Sequence, residues 1–114
     1  MDGLLGYAER TSPACAPAVE VVWSADARAD LNDIRAYLRT RNSAASRAVI
    51  TAIRAAGDSL GHHPHKGHAG EDDTREWVVT RYPNYLLIYE LRLSPRSGEM
   101  VAVILSVWHQ ARDR

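Results

Sequence analysis

A chain of 114 residues, 46% hydrophobic and 25% charged, has ordinary globular composition, with enough length for one modest core and too little for two. Its 14 basic and 14 acidic side chains give a formal net charge of zero, which argues against a protein that lives on nucleic acid, because neutralising many phosphates takes a surplus of Lys and Arg. The lone Cys15 excludes an internal disulfide, no apolar run approaches the ~18 residues that span a bilayer, and no basic start precedes an apolar segment as in a secretory signal, so a reducing cytoplasm is the expected location.

Residues 1–18, with Gly3, Gly6, Pro13 and Pro17 and no sustained period, read as a flexible N-terminal extension. The domain is expected to occupy 19–114. It opens with a short strand at 19–23. Ser24 then offers a hydroxyl N-cap, with Asp26 in the first turn to suit the positive end of a helix dipole. Ala27, Leu31, Ile34 and Leu38 follow at helical spacing with Tyr37 beside them, one apolar face as far as Arg41. Asn42 and Ser43 interrupt this pattern and start a second helix, whose stripe is Ala45, Val49, Ala52, Ile53, Ala56 and Leu60. Gly61 is the expected C-cap, and Pro64 prevents the helix from resuming. Two helices joined this tightly form an antiparallel hairpin.

Residues 62–73 read as a polar loop that carries His62, His63, His65 and His68. A structural zinc site wants four converging ligands, usually including thiolates, and a loop without Cys lacks that signature, so neither a metal nor any other cofactor is expected. Three strands follow, at 75–81, 85–93 and 100–108. The first two are separated by the turn at Tyr82, Pro83 and Asn84, the last two by a longer turn at 94–98. The order strand, helix, helix, then a three-stranded meander is α+β, with a four-stranded sheet. A helical hairpin covers one face of such a sheet, yet Leu86 and Ile88 alternate with Leu87, Tyr89 and Leu91, and the last strand is apolar on both sides. The surplus apolar surface points to a partner interface.

In their order and spacing, a set of landmarks resembles the RelE/ParE superfamily of toxins from type II toxin-antitoxin systems over about 19–112. They are the run VVWSADARADL at 21–31 with Ile34 and Tyr37, then Pro64 and Gly67, then Thr74, Arg75 and Glu76. Tyr89 and the run VWHQARD at 107–113 complete the set. The resemblance implies a β-α-α-β-β-β fold and a growth inhibitor neutralised by a cognate, ParD-like antitoxin. It also offers two activities. RelE-like members are ribosome-dependent endoribonucleases, and cutting RNA through its 2′-hydroxyl needs a base, an acid and cations on the phosphate. In that branch an Arg typically follows the Tyr that opens the strand entered here at Tyr85, whereas this chain has Leu86. ParE-like members commonly end in Leu-His-Gln-Arg or a close variant followed by Asp, which His109, Gln110, Arg112 and Asp113 approximate. The ParE-like branch, whose members are described as inhibitors of DNA gyrase, is therefore the expected one.

On that reading Arg75, Glu76, Trp108, His109, Gln110 and Arg112 would meet the target, and Leu86, Ile88 and Tyr37 the antitoxin. No membrane partner is expected, and no direct binding of nucleic acid outside the antitoxin complex. The nuclease alternative would draw its acid, base and phosphate ligands from Arg75, Arg81, Tyr85 and His109. Bland readings stand beside these: an edge-strand charge pair for Arg75 and Glu76, a solvated turn for Arg81, one structural hydrogen bond for His109. Trp23, Trp77 and Trp108 read as core or partner anchors rather than base-stacking platforms. A further alternative is a degenerate, non-toxic interaction or autoregulation module.

Overall fold

In chain order the elements are β1 (Glu20–Trp23), α1 (Ala25–Arg39), α2 (Ser43–Ser59), β2 (His68–Ala69), β3 (Arg75–Val78), β4 (Tyr85–Leu93) and β5 (Met100–His109). The structure is a computed structural model that describes residues 19–109. The expected N-terminal extension, Gln110, Arg112 and Asp113 thus lie outside the described residues.

The Ser24 hydroxyl accepts from the Ala27 amide and caps α1, and Asn42 does the same for α2 by accepting from the Ala45 amide. Ala27, Leu31 and Ile34 are buried as the α1 stripe requires, whereas Tyr37 stands 38% exposed with the Arg41 guanidinium over its ring. On α2 the buried line runs through Ser46, Val49, Ile50, Ile53 and Gly57. Ser46 meets its polar need by donating to the Arg35 carbonyl across the hairpin. The C-cap of α2 is Leu60 in the right-handed region rather than Gly61. The chain leaves the helix through i to i−3 bonds, Gly61 to Asp58 and His62 to Ser59, so no left-handed residue is needed.

The sheet has five strands rather than four, in the order β1-β5-β4-β3-β2, with β1 parallel to β5 and the other pairs antiparallel. The added strand β2 lies inside the expected loop and pairs His68 with Glu76 and Ala69 with Arg75. The strand expected at 75–81 ends at Val78, because the Val79 amide bonds to the Tyr85 carbonyl and the Tyr82 amide turns back to the Val79 carbonyl. Tyr85, Leu87 and Tyr89 face the helices with Ala102, Ile104 and Val107, and join Leu31, Ile34, Val49 and Ile53 in the core. Between Ile88 and Tyr89 the β4–β5 register slips, leaving Leu105 as the extra residue of a β-bulge. Leu86 and Ile88 lie on the opposite face, partly covered. No helix among the described residues is long and apolar enough to cross a membrane.

Candidate functional site

The C-terminal end of β5 and the start of β4 form one rim of the sheet. Tyr85 and His109 are paired across the strands, with ring centroids 4.7 Å apart at an interplanar angle of 85°. Tyr85 is buried, so the edge-to-face contact seats the half-exposed imidazole on the core side of the sheet. Trp108 points the other way, opposite Leu86, and is 46% exposed with its indole N–H donating to the Ser106 hydroxyl. A large aromatic held open in this way is a ready partner anchor.

Arg75 and Glu76 project to opposite faces, as neighbours in a strand must, so they do not form the charge pair their adjacency suggests. Arg75 donates through Nη1 to the Gly67 carbonyl at 2.9 Å and to the His65 carbonyl at 3.1 Å. Its cross-strand neighbour Tyr89 works on the same loop, donating to the Pro64 carbonyl at 2.7 Å and accepting from the Gly67 amide at 3.1 Å. Gly67 has no room for a side chain there, since a Cβ would stand 2.7 Å from the Tyr89 hydroxyl and 2.9 Å from the Glu76 carbonyl oxygen. Burial pushes the Tyr89 phenol above its ordinary pKa, opposed by the Gly67 bond and the Arg75 charge. Arg75 and Tyr89 thus fasten the loop at 64–67 to the sheet.

The four residues of the nuclease alternative are spread out. Tyr85 and His109 touch, and Arg81 lies in the turn that leads into Tyr85. Arg75 stands opposite Tyr89, four residues further along β4, or about 13 Å at the rise of a strand. Among the described residues no three His, Cys, Asp or Glu side chains are grouped so as to hold a metal ion.

A groove of about 790 Å³ that the sequence did not suggest runs between α2 and the β3 edge. Ala48, Ala52, Ala55 and Ala56 form one wall and Trp77 and Val79 the other, with Arg47, Lys66 and Arg81 among its lining. Lys66 lies over the Trp77 ring, its Nζ 4.3 Å from the centroid, and donates to the Ser59 hydroxyl at 2.6 Å. Burial lowers its pKa from the ordinary lysine value. The only sequence cue was that Lys66 is the one lysine beside 13 arginines. Of the alanines that build the wall, Ala52 and Ala56 read as part of a core stripe and Ala48 and Ala55 lay outside it, and only the placing of α2 beside β3 reveals a cleft.

Residues 21–114 match the family described as the ParE toxin of the type II toxin-antitoxin system parDE. The chain belongs to the ParE toxin family. Toxin RelE2 of Caulobacter vibrioides is 34% identical over 70 residues, spanning 61% of this chain and 77% of that protein. A chain of the chromosomal ParDE system from P. aeruginosa superposes with a TM-score of 0.69 over 81% of this chain and 96% of its own length. At 14% identity, that likeness speaks for the fold. The shared arrangement is a helical hairpin on a sheet, which here has five strands.

Proposed function

We propose that this ParE family toxin arrests growth by binding DNA gyrase through the rim formed by Trp108 and His109, and that a ParD-like antitoxin holds it inactive in the cytoplasm. The observation that carries this reading is the exposed Trp108, an aromatic anchor on one face of the rim, with the Tyr85–His109 pair on the other. Arg75, the strongest cationic candidate for phosphate, directs a guanidinium nitrogen at two loop carbonyls. Leu86 occupies the place of the nuclease branch's Arg. Together these favour a protein target over RNA cleavage.

The antitoxin reading rests on the groove and on the sheet face that, among the described residues, no helix covers. β2 covers only Arg75 and Glu76 of β3 among the described residues, so the edge at Trp77 and Val78 borders both surfaces. An extended segment that wraps this edge would place apolar side chains in the groove and others against Leu86 and Ile88, and carboxylates on it would meet Arg47, Lys66 and Arg81. A segment that continued along α1 would reach Tyr37.

The nuclease reading keeps one observation in its favour: Arg81, Tyr85 and His109 share an end of the sheet. Induced expression, with viable counts and primer extension on translated mRNA, tests the two together. The proposal expects growth arrest relieved by the neighbouring antitoxin gene and no codon-positioned cuts. Cuts that vanish in His109→Ala would replace it with the interferase, and normal growth on verified soluble expression would leave a degenerate module.

A further inference from the structure

The bulge in β5 decides which face each rim side chain occupies. Ala102 and Ile104 face the helices, and in a regular strand residues 106 and 108 would follow them, burying Trp108 under α1 and turning His109 outward. Leu105 interrupts that alternation. Beyond it Val107 and His109 take the helix face and Trp108 the open one.

A bulge leaves backbone groups out of the ladder, and here Ser24 and helix α1 take them up. The Ser24 amide closes the parallel β1–β5 ladder beside the bulge by donating to the Ile104 carbonyl at 3.0 Å, and the Ser24 hydroxyl donates to the Leu105 carbonyl at 3.0 Å while also capping α1. Asp30 Oδ2 accepts from the Val107 amide at 2.9 Å. Both side chains belong to the run at 21–31 that the target-binding reading leaves unused. We infer that Ser24 and Asp30 are positioning residues that lock the Leu105 bulge and so fix Trp108 and His109 on opposite faces of the rim. The inference rests on the reading of that rim as the target surface, although the lock itself is a property of the fold.

The test uses the full chain carrying Asp30→Asn or Asp30→Ala, with two readouts: amide exchange at Val107 by NMR and inhibition of gyrase supercoiling. Asparagine keeps an acceptor oxygen and loses the charge, while alanine loses both. Asp30→Ala is expected to speed Val107 exchange by about tenfold to hundredfold, as leaving a part-buried amide without its acceptor should, and to weaken gyrase inhibition, whereas Asp30→Asn stays close to the unsubstituted chain in both. Should Asp30→Ala fail to fold, the pair Ser24→Thr and Ser24→Ala asks the same question at the Leu105 carbonyl, with threonine expected to rescue. Unchanged Val107 exchange in Asp30→Ala, or an Asn variant as impaired as the Ala variant, overturns the lock. If the unsubstituted chain leaves gyrase untouched while Val107 exchange responds as stated, the target reading fails and the lock stands.

Discussion

Arg75 spends a guanidinium nitrogen on two carbonyls of the loop at 64–67, and Tyr89 adds two more bonds to the same segment. Arg75→Ala should therefore lower unfolding stability by about 2 kcal/mol, in line with charge-assisted bonds to backbone. Lysine should not restore it, since its ammonium ends one bond short of the Nη1 position that reaches both carbonyls. Urea denaturation of the three proteins measures both effects. Tyr89→Phe should cost about 1 to 3 kcal/mol in the same assay, because it strands the Gly67 amide and the Pro64 carbonyl inside the loop. The phenol also sets an alkaline limit. Its folded pKa lies above the ordinary 10.0 because burial outweighs the Gly67 bond and the Arg75 charge, so the folded state holds the proton more tightly than the unfolded chain. That stabilisation is fully present below the unfolded pKa and is lost as pH rises through the folded one. Melting temperatures should accordingly fall above about pH 10 and fall less in Tyr89→Phe. Neither role was legible in the sequence. Arg75 read as a target contact through the family resemblance, or as an edge-strand charge pair with Glu76, and the loop carbonyls it also meets are eight and ten residues away.

Gly57 shows how the helical hairpin seats on the sheet. It lies in α2, where glycine costs about 1 kcal/mol relative to alanine, yet a Cβ there would stand 2.3 Å from Trp23 Cζ2 and 2.8 Å from Ile104 Cδ1. The close approach is what lets α2 lie against β1 and β5. Gly57→Ala should thus destabilise despite its better helix propensity, by about 1 to 3 kcal/mol as overpacked cores do; a raised denaturation midpoint would contradict this packing. The helices themselves were readable because Leu31 and Ile34 on one, and Val49 and Ile53 on the other, repeat over several turns. The strands were readable in outline because β4 and β5 are long. The two-residue β2 has no period to read, and the Leu105 bulge is invisible because residues 101–105 are apolar throughout, so either alternation fits them.

At the scale of the whole fold, the described residues present three surfaces: the rim at Trp108 and His109, the sheet face around Leu86 and Ile88 that neither α1 nor α2 covers, and the groove between α2 and β3. The surplus of apolar sheet was apparent from residue alternation alone, whereas the groove arises only when α2, carrying Ala55, is set beside β3, carrying Trp77. Ala55→Trp fills that groove from an exposed position. It should leave the free chain's stability within about 0.5 kcal/mol and weaken antitoxin binding at least tenfold by calorimetry; unchanged affinity would move the antitoxin elsewhere. Antitoxin should also raise the toxin's melting temperature with the logarithm of its concentration over Kd, since it binds the folded state. The target remains the central claim, and the most direct measurement is the conversion of relaxed plasmid to supercoiled form by DNA gyrase as purified toxin is titrated in. Supercoiling should fall with toxin concentration, recover on addition of antitoxin, and resist inhibition by Trp108→Ala and His109→Ala. Full supercoiling at saturating concentrations of a chain that still arrests growth and still binds its antitoxin would contradict the account.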